Sequence, residues 1–297
     1  MKLFRTLMFA PGSRPELLVK AQLGSADALI FDLEDSVPLQ SKAEARANIQ
    51  RVLQDGLKKP VFIRVNHPRA GDCQADLNIL ASALPTLPAM VQGVILPKAE
   101  NTADIEQLDQ WLTEIEVKTG APKGRLGVLP LVETCLGLRN TFDLARCSSR
   151  VSGMSLASAE QGDFMVDLGG RWTPASRALT YPRSKMVVDA RAAGLSWLVD
   201  GVFMNLSDTA ALRTECELAR ELGFVGKMAI HPNQLPVMHE VFSPTPEEIE
   251  YARGLVQAFR QAEQQGVGAV RYQGMMVDYA NVRLAERTLS LVEGRDS

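Results

Sequence analysis

Eight short apolar runs, each closing on a polar residue and each separated from the next by an amphipathic stretch, constrain this chain more than any other feature. The runs are Thr6–Ala10, Ala28–Leu33, Val61–Asn66, Gly93–Lys98, Gly127–Glu133, Val151–Leu156, Leu198–Asn205 and Gly226–His231. A run that is apolar at nearly every position reads as a strand covered on both faces, as in a parallel sheet wrapped by helices. The stretches between them read as helices. Pro15–Leu23 follows Ser13 as an N-cap, and Ser41–Leu53 carries few breakers. Thr102–Thr119, entered through an N-cap, places Ile105, Leu108, Leu112 and Ile115 at steps of three and four, the period of an amphipathic helix. Arg183–Ala193 and Ala210–Leu222 repeat the pattern, the latter ending at Gly223. Strand and helix in alternation force parallel strands and right-handed crossovers. Eight such units point to an α/β fold, a (β/α)8 TIM barrel over residues 1–235, with an open doubly wound sheet as the structural alternative. A length of 297 residues at 46% hydrophobic content suits one barrel of roughly 250 residues plus an extension.

That extension is residues 236–297. Glu247–Gln265 reads as a long helix, Gly266–Asp278 as two short strands around Gln273–Gly274, and Asn281–Glu293 as a last helix. An eight-unit barrel has no place for them, so a lid or a subunit contact is the expected use.

Charge narrows the partners. With 32 basic and 35 acidic residues the net charge is −3, and no run or half-to-half asymmetry stands out. Neither a nucleic-acid footprint nor a membrane-surface patch is supported. Cys73, Cys135, Cys147 and Cys216 are scattered without a CxxC pair, which suits reduced, packed thiols. The first apolar stretch is broken by Pro11 and Gly12, too short for a signal-peptide core or a membrane span. A cytoplasmic protein is expected.

In a barrel of this kind the chemistry lies at the C-terminal ends of the strands. Those ends carry Asp32, Glu34 and Asp35, then Arg64 and Asn66, Lys98, Glu133, Glu160 and Asp163, Asp200 and Asn205, and His231. A rim rich in carboxylates and poor in thiols suits Mg2+ rather than zinc. HExxH, GxGxxG, GxxxxGK[ST] and GxSxG are all absent from the sequence. Glu133 closes the buried run GVLPLV, where an unpaired carboxylate is costly and calls for a cation. Arg64 sits inside the apolar run VFIRVN, a position for contacting a substrate anion or for a structural ion pair. Asp32, Glu34 and Asp35 could equally serve only to neutralise Arg64 and Lys98, and His231, followed by Pro232, reads as a hydrogen-bonded strand end rather than a base.

At these residues the chain resembles the HpcH/HpaI aldolase and citrate lyase β-subunit family, in its CoA-ester lyase branch. The resemblance rests on FAPGSRPE, ADALIFDLEDSV, IRVN, VILPKAE, LVETCLG, LGFVGKMAIHPNQ, VFSPTPEEI and GMMVD, eight segments in the family's order over nearly the whole length. It implies that Glu133 ligates Mg2+, that Arg64 contacts the substrate and an enolate oxygen, and that Asp278 of GMMVD is the acid/base supplied by a neighbouring subunit's tail. It also implies a homo-oligomer, a trimer or a multiple of one. The family's second metal ligand is the Asp of a G-x-E-D motif, and here the chain departs, reading LASAEQGDFMVDLGG. Counting back from DLGG gives Asp163, which GDF favours; counting forward from Glu133 gives Glu160.

The reaction so implied is cleavage of a citramalyl-, malyl- or citryl-CoA type thioester. Chelation by Mg2+ lowers the hydroxyl pKa, Arg64 stabilises the thioester enolate and Asp278 protonates its carbon. Readings to be separated from it are an aldolase for free 2-keto acids, a malyl-CoA-type thioesterase, a subunit working on carrier-bound thioesters inside a lyase complex, and a barrel that only binds. For CoA contacts, the strand-end backbone and basic residues such as Lys98 are the candidates.

Overall fold

Parallel pairing runs unbroken from each strand to the next and back from the eighth to the first, so the sheet closes into a barrel. The structure is a computed structural model that describes residues 3–86, 89–173 and 177–296. In chain order the elements are β1 (Thr6–Pro11), α1 (Pro15–Ala21), β2 (Ala28–Asp32), α2 (Lys42–Asp55), β3 (Val61–Arg64), α3 (Cys73–Ala83), β4 (Val91–Leu96), α4 (Thr102–Thr119) and β5 (Gly127–Val132). There follow α5 (Cys135–Arg139), α6 (Thr141–Arg146), β6 (Gly153–Leu156), α7 (Asp163–Leu168), α8 (Arg177–Ala192), β7 (Trp197–Asp200), α9 (Thr209–Leu222), β8 (Gly226–Ala229) and α10 (Leu235–Val241). The expected (β/α)8 barrel is therefore the fold, and the open sheet is excluded by the β1–β8 pairing.

Every residue of β2 is buried, as the continuous apolar run demands. Phe4, Phe62 and Trp197 fill the N-terminal end of the barrel, Phe62 and Trp197 stacking at 5.6 Å and Phe4 meeting Trp197 edge-on at 5.8 Å. The Trp197 indole N–H is not left orphaned, since it donates to the Phe4 carbonyl at 3.1 Å. With that end plugged by side chains among the described residues, the opposite end, where the strands point their C-termini, is the one the barrel leaves for a ligand.

Several boundaries differ from the sequence expectation. Helix α8 begins at Arg177, six residues before Arg183, and carries Pro182 inside it. A proline in the second turn gives up one backbone bond but is tolerated there, so it does not mark the start. Helix α1 is capped by Arg14 without a side-chain bond, not by Ser13; Pro15 at the first position has no N–H to satisfy. Asn101 stands at the N-cap of α4 but makes no side-chain cap bond. Strands β7 and β8 stop at Asp200 and Ala229, short of Asn205 and His231, because the chain turns away into the loops of the rim.

Asp200 is the main correction to the expected rim. It is fully buried and faces the helix layer, where Arg183 of α8 grips it at 2.9 and 3.0 Å and Lys227 of β8 at 2.6 Å. Glu215 of α9 completes the group, 2.6 Å from Lys227. Two positive and two negative side chains thus neutralise one another between barrel and helices. Removing one member would strand its partner's charge, at a cost of about 3–5 kcal/mol. Asn205 is likewise off the rim, exposed and bonded to Ser207.

By its contacts the chain divides into two compact units, Phe4–His239 and Met1–Leu3 with Glu240–Ser297. The second contains α11 (Pro246–Gln264), an antiparallel hairpin of β9 (Val270–Tyr272) and β10 (Met275–Val277), and α12 (Tyr279–Asp296). It has a core of its own, in which Leu255, Val256 and Phe259 of α11 meet Val277 and Val282. Thr245 opens α11 with a capping box closed by Glu248. Among the described residues no helix is long and apolar enough to cross a membrane.

Candidate active site

The floor of the site is laid by the turn after β2. Asp32, the last residue of that strand, is buried and accepts the backbone N–H of Glu34 at 3.0 Å and of Ser36 at 3.2 Å, together with the Ser36 hydroxyl. Gly12 permits the close approach of the β1 loop above it. Its N–H donates to the Asp32 carbonyl at 2.9 Å, and a Cβ at that position would come within 2.8 Å of the same oxygen. Lys42 of α2 fastens the turn from below, donating to the carbonyls of Leu33 and Glu34 and to Asn66.

On β3, Arg64 projects into this floor. Its Nε and one terminal nitrogen reach the two Asp32 oxygens at 2.7 and 2.8 Å, the other terminal nitrogen lies 3.1 Å from Glu34, and its guanidinium stands 4.9 Å over the Phe9 ring. Burial alone would drive an Asp pKa up, but the paired Arg64 outweighs it and holds Asp32 below the usual carboxylate range. Glu34 is different: burial dominates and its pKa is raised.

Above the floor, Asp35, Glu133 and Asp163 each bring a carboxylate oxygen to within 4.8 Å of the others. Glu133, at the end of β5, is only 4% exposed and accepts the Lys98 backbone N–H at 3.3 Å. Desolvation pushes its pKa up to about 7, against the pull of Lys98 and Arg64. Asp163 opens α7 and is half exposed. Three hard oxygen donors, one of them buried without an ion pair of its own among the described residues, are a fit for a divalent cation such as Mg2+. Lys98, at the turn after β4, reaches into the same group, its ammonium 2.8 Å from Glu34, 3.4 Å from Asp35 and 3.0 Å from Asp163. Its turn is clamped: Ala99 donates to the Leu131 carbonyl at 3.1 Å, and a Cβ on Gly137 would come within 2.3 Å of the Ala99 oxygen.

Arg64 and the three clustered carboxylates border a cavity of about 480 Å3, in the range of small-molecule sites. Its lining includes Asp32, Asp35, Arg64, Glu133 and Asp163, with Phe9, Leu131, Val202, Met228 and Ile230 as apolar wall. The structure thus brings Glu133 and Asp163 together and leaves Glu160 out of both cluster and lining. It adds Asp35, a strand-end carboxylate whose sequence leaves a site role and the neutralising of Arg64 and Lys98 equally open. Arg64 turns out to be both ion-paired and cavity-lining. His231 accepts the Asn233 N–H at 3.2 Å, and Asn66 is buried against Asp76; neither lines the cavity. Asp278 belongs to the C-terminal unit, where it is exposed and caps α12, accepting the N–H of Ala280 at 2.8 Å.

The family profile described as HpcH/HpaI aldolase/citrate lyase matches residues 5–232, and that of a C–C bond lyase of the TIM-barrel fold matches residues 181–293. The citrate lyase subunit beta of Leuconostoc mesenteroides is 33% identical over 98% of this chain and 93% of its own length. A (3S)-malyl-CoA thioesterase of Cereibacter sphaeroides is 34% identical over 98% and 95%. Among solved structures, the CitE protein of Mycobacterium tuberculosis in complex with magnesium, acetoacetate and coenzyme A is 29% identical, covers 98% of each chain and superposes with a TM-score of 0.74. A closed eight-stranded barrel, a carboxylate-rich mouth and these matches over nearly the full length make the chain a carbon–carbon lyase that belongs to the HpcH/HpaI aldolase/citrate lyase family.

Proposed function

We propose that this enzyme is a Mg2+-dependent lyase that cleaves a 3-hydroxyacyl-CoA bearing a carboxylate on the hydroxyl carbon, of the citramalyl, malyl or citryl type, into a 2-keto acid and an acyl-CoA. The observation that carries the reading is the meeting of Asp35, Glu133 and Asp163 at the mouth of a cavity that Arg64 also lines. Glu133 and Asp163, with Asp35 beside them, would hold the ion. When bound, that ion would supply a Lewis acid for the substrate carboxylate and hydroxyl. As the hydroxyl loses its proton and becomes a carbonyl, the bond to the thioester α-carbon breaks and its electron pair passes into a thioester enolate. Arg64 has donors to spare for the enolate oxygen, since Asp32 and Glu34 engage three of its five N–H groups. Asp278 would return a proton to the enolate carbon, or remove it in the condensing direction.

That Asp278 is delivered by another copy of the chain is supported by its surroundings. Met275 and Met276 on the same hairpin are 63% and 72% exposed, an apolar pair suited to cover by a second subunit. The reading therefore includes a homo-oligomer, a trimer or a multiple of one. It also places the enzyme in the cytoplasm, in keeping with four unpaired cysteines.

One competing activity has a specific observation behind it, the malyl-CoA thioesterases at 34% identity. Incubating the protein with Mg2+ and citramalyl-, malyl- and citryl-CoA, and identifying products by mass spectrometry, separates the two. Keto acid plus acyl-CoA is the expected outcome. Free CoA thiol with an intact hydroxy diacid would establish hydrolysis instead, and no turnover without an acyl-carrier protein would point to a complex-bound subunit.

A further inference from the structure

We propose that Lys98 is a built-in counter-cation of the carboxylate cluster, which competes with the divalent ion and so sets how tightly that ion is held. The inference rests on reading Asp35, Glu133 and Asp163 as the metal centre. Its own observation is separate: the Lys98 ammonium lies 3.0 Å from Asp163 and 3.4 Å from Asp35, so it contacts two of the three cluster carboxylates.

The backbone shows that this placement is built in. Lys98 has φ 47°, in the left-handed region that costs a residue with a Cβ about 1 kcal/mol or more. The conformation is held from several sides. The Lys98 N–H donates to Glu133 at 3.3 Å, the Ala99 N–H is bonded to Leu131, and Gly137 allows α5 to press on the Ala99 carbonyl. The turn thereby aims one residue at the whole cluster, its amide at Glu133 and its ammonium at Asp163 and Asp35.

Electrostatics gives the consequence. Three acidic groups meeting at one point repel one another unless a cation stands among them. The ammonium meets that need in the metal-free enzyme. An incoming divalent ion encounters a like charge at Asp35 and Asp163 and must displace it. Glu34, 2.8 Å from the ammonium, gives Lys98 a partner to retain when it leaves the other two. The cluster is thus tuned for an exchangeable ion rather than a permanently bound one.

The test is calorimetric titration of the full-length protein with Mg2+, and with Mn2+ followed by its paramagnetic resonance signal, for the wild type, Lys98→Met, Lys98→Gln and Lys98→Arg. Removal of the charge in Lys98→Met and Lys98→Gln is expected to tighten both ions by about tenfold or more, the scale of one unit charge acting at this range in a partly solvated site. Lys98→Arg keeps the charge and is expected to stay within about threefold of wild type by the same reasoning. Lys98→Gln keeps a hydrogen-bond donor and serves if the Met variant does not fold. A residue that merely braces the site would, on removal, loosen the ion, so unchanged or weaker binding in both neutral variants overturns the role of Lys98. If neither wild type nor variants bind either ion, it is the metal reading of the cluster that fails, and the Lys98 inference with it.

Discussion

Asp32 grips Arg64 with both carboxylate oxygens, at 2.7 and 2.8 Å, and through its own backbone and side-chain bonds ties that guanidinium to the turn bearing Glu34 and Asp35. A bidentate pair fixes direction as well as charge. The side chain proposed to meet the enolate is thus oriented by a residue that stands outside the Asp35, Glu133 and Asp163 cluster.

Asp32→Asn tests this orientation. The amide keeps the shape but offers one acceptor where the carboxylate offered two. Arg64 retains Glu34 and the Phe9 ring, so the fold should persist. A fall in kcat/KM of about 10–100-fold is expected, the scale of a misplaced transition-state contact, with Mg2+ affinity nearly unchanged. Steady-state kinetics beside calorimetry would check it. A loss confined to Mg2+ binding would contradict the assignment.

Glu133 gives a pH dependence whose direction follows from its environment. Its pKa in the folded, metal-free protein is about 7, against 4.5 for the free side chain. Between those values the native state binds more protons than the unfolded state, so stability falls as pH rises. The difference corresponds to about 3 kcal/mol lost once pH exceeds 7. Glu133→Gln should therefore raise the Tm of the metal-free protein by several degrees at pH 8 and change it little at pH 4.5. The same variant should abolish the stabilisation that Mg2+ gives the wild type. Thermal melts in chelator and in Mg2+ at the two pH values decide it; equal Tm values for wild type and variant at pH 8 would exclude the buried charge as a cost.

Much of this was legible in the residues, and the failures have physical reasons. Strands buried on both faces leave continuous apolar runs, so all eight barrel strands could be found. Glu133 stood out because a carboxylate ends such a run. The short helices α5, α6 and α7, of five or six residues, are too brief for a 3.6-residue period to register. Asp200 looked like a rim residue because it ends a strand, yet successive strand side chains face opposite ways, and this one faces Arg183 and Lys227. In DLEDS three acids share four positions. Only the folded turn assigns Asp32 to Arg64 and Asp35 to the cluster.

The choice between Asp163 and Glu160 can be settled by a pair of variants. Asp163 is 3.0 Å from Lys98 and within the carboxylate cluster, whereas Glu160 lies outside it. Asp163→Asn should weaken Mg2+ by at least about tenfold, as loss of a charged oxygen ligand does, while Glu160→Gln should stay within about twofold. Calorimetric titration reads both. Equal weakening by the two would return Glu160 to the ligand set.

Asp278→Asn separates proton transfer from binding. Asparagine is as good an N-cap as aspartate, so α12 should keep its start and the hairpin its shape. An acid/base role predicts a fall in kcat of at least about 100-fold, with Mg2+ and CoA-ester affinities retained. Full turnover by the variant would remove Asp278 from the reaction.

The lining of the cavity predicts an order among the three candidate thioesters. They differ in one substituent on the hydroxyl carbon: hydrogen in malyl-CoA, methyl in citramalyl-CoA and a second carboxylate arm in citryl-CoA. Among the described residues that border the cavity Arg64 is the one cation, and it is already paired with Asp32 and Glu34. Leu131, Val202, Met228 and Ile230 give the wall its apolar part, and the polar side chains that remain beside the carboxylates, Ser36 and Gln161, are neutral. A methyl against the apolar part of the wall changes binding by about 1 kcal/mol in its favour, whereas a further carboxylate without a cation to meet it costs several kcal/mol. The kcat/KM for citramalyl- or malyl-CoA should therefore exceed that for citryl-CoA by at least about 100-fold, since each 1.4 kcal/mol is a factor of ten. Initial rates on the three esters at saturating Mg2+ measure the ratio directly. A citryl-CoA value equal to the others would mean that the second carboxylate reaches a cation behind the wall, such as Lys98, which stands 3.0 Å from Asp163 and 3.4 Å from Asp35, and would overturn the order.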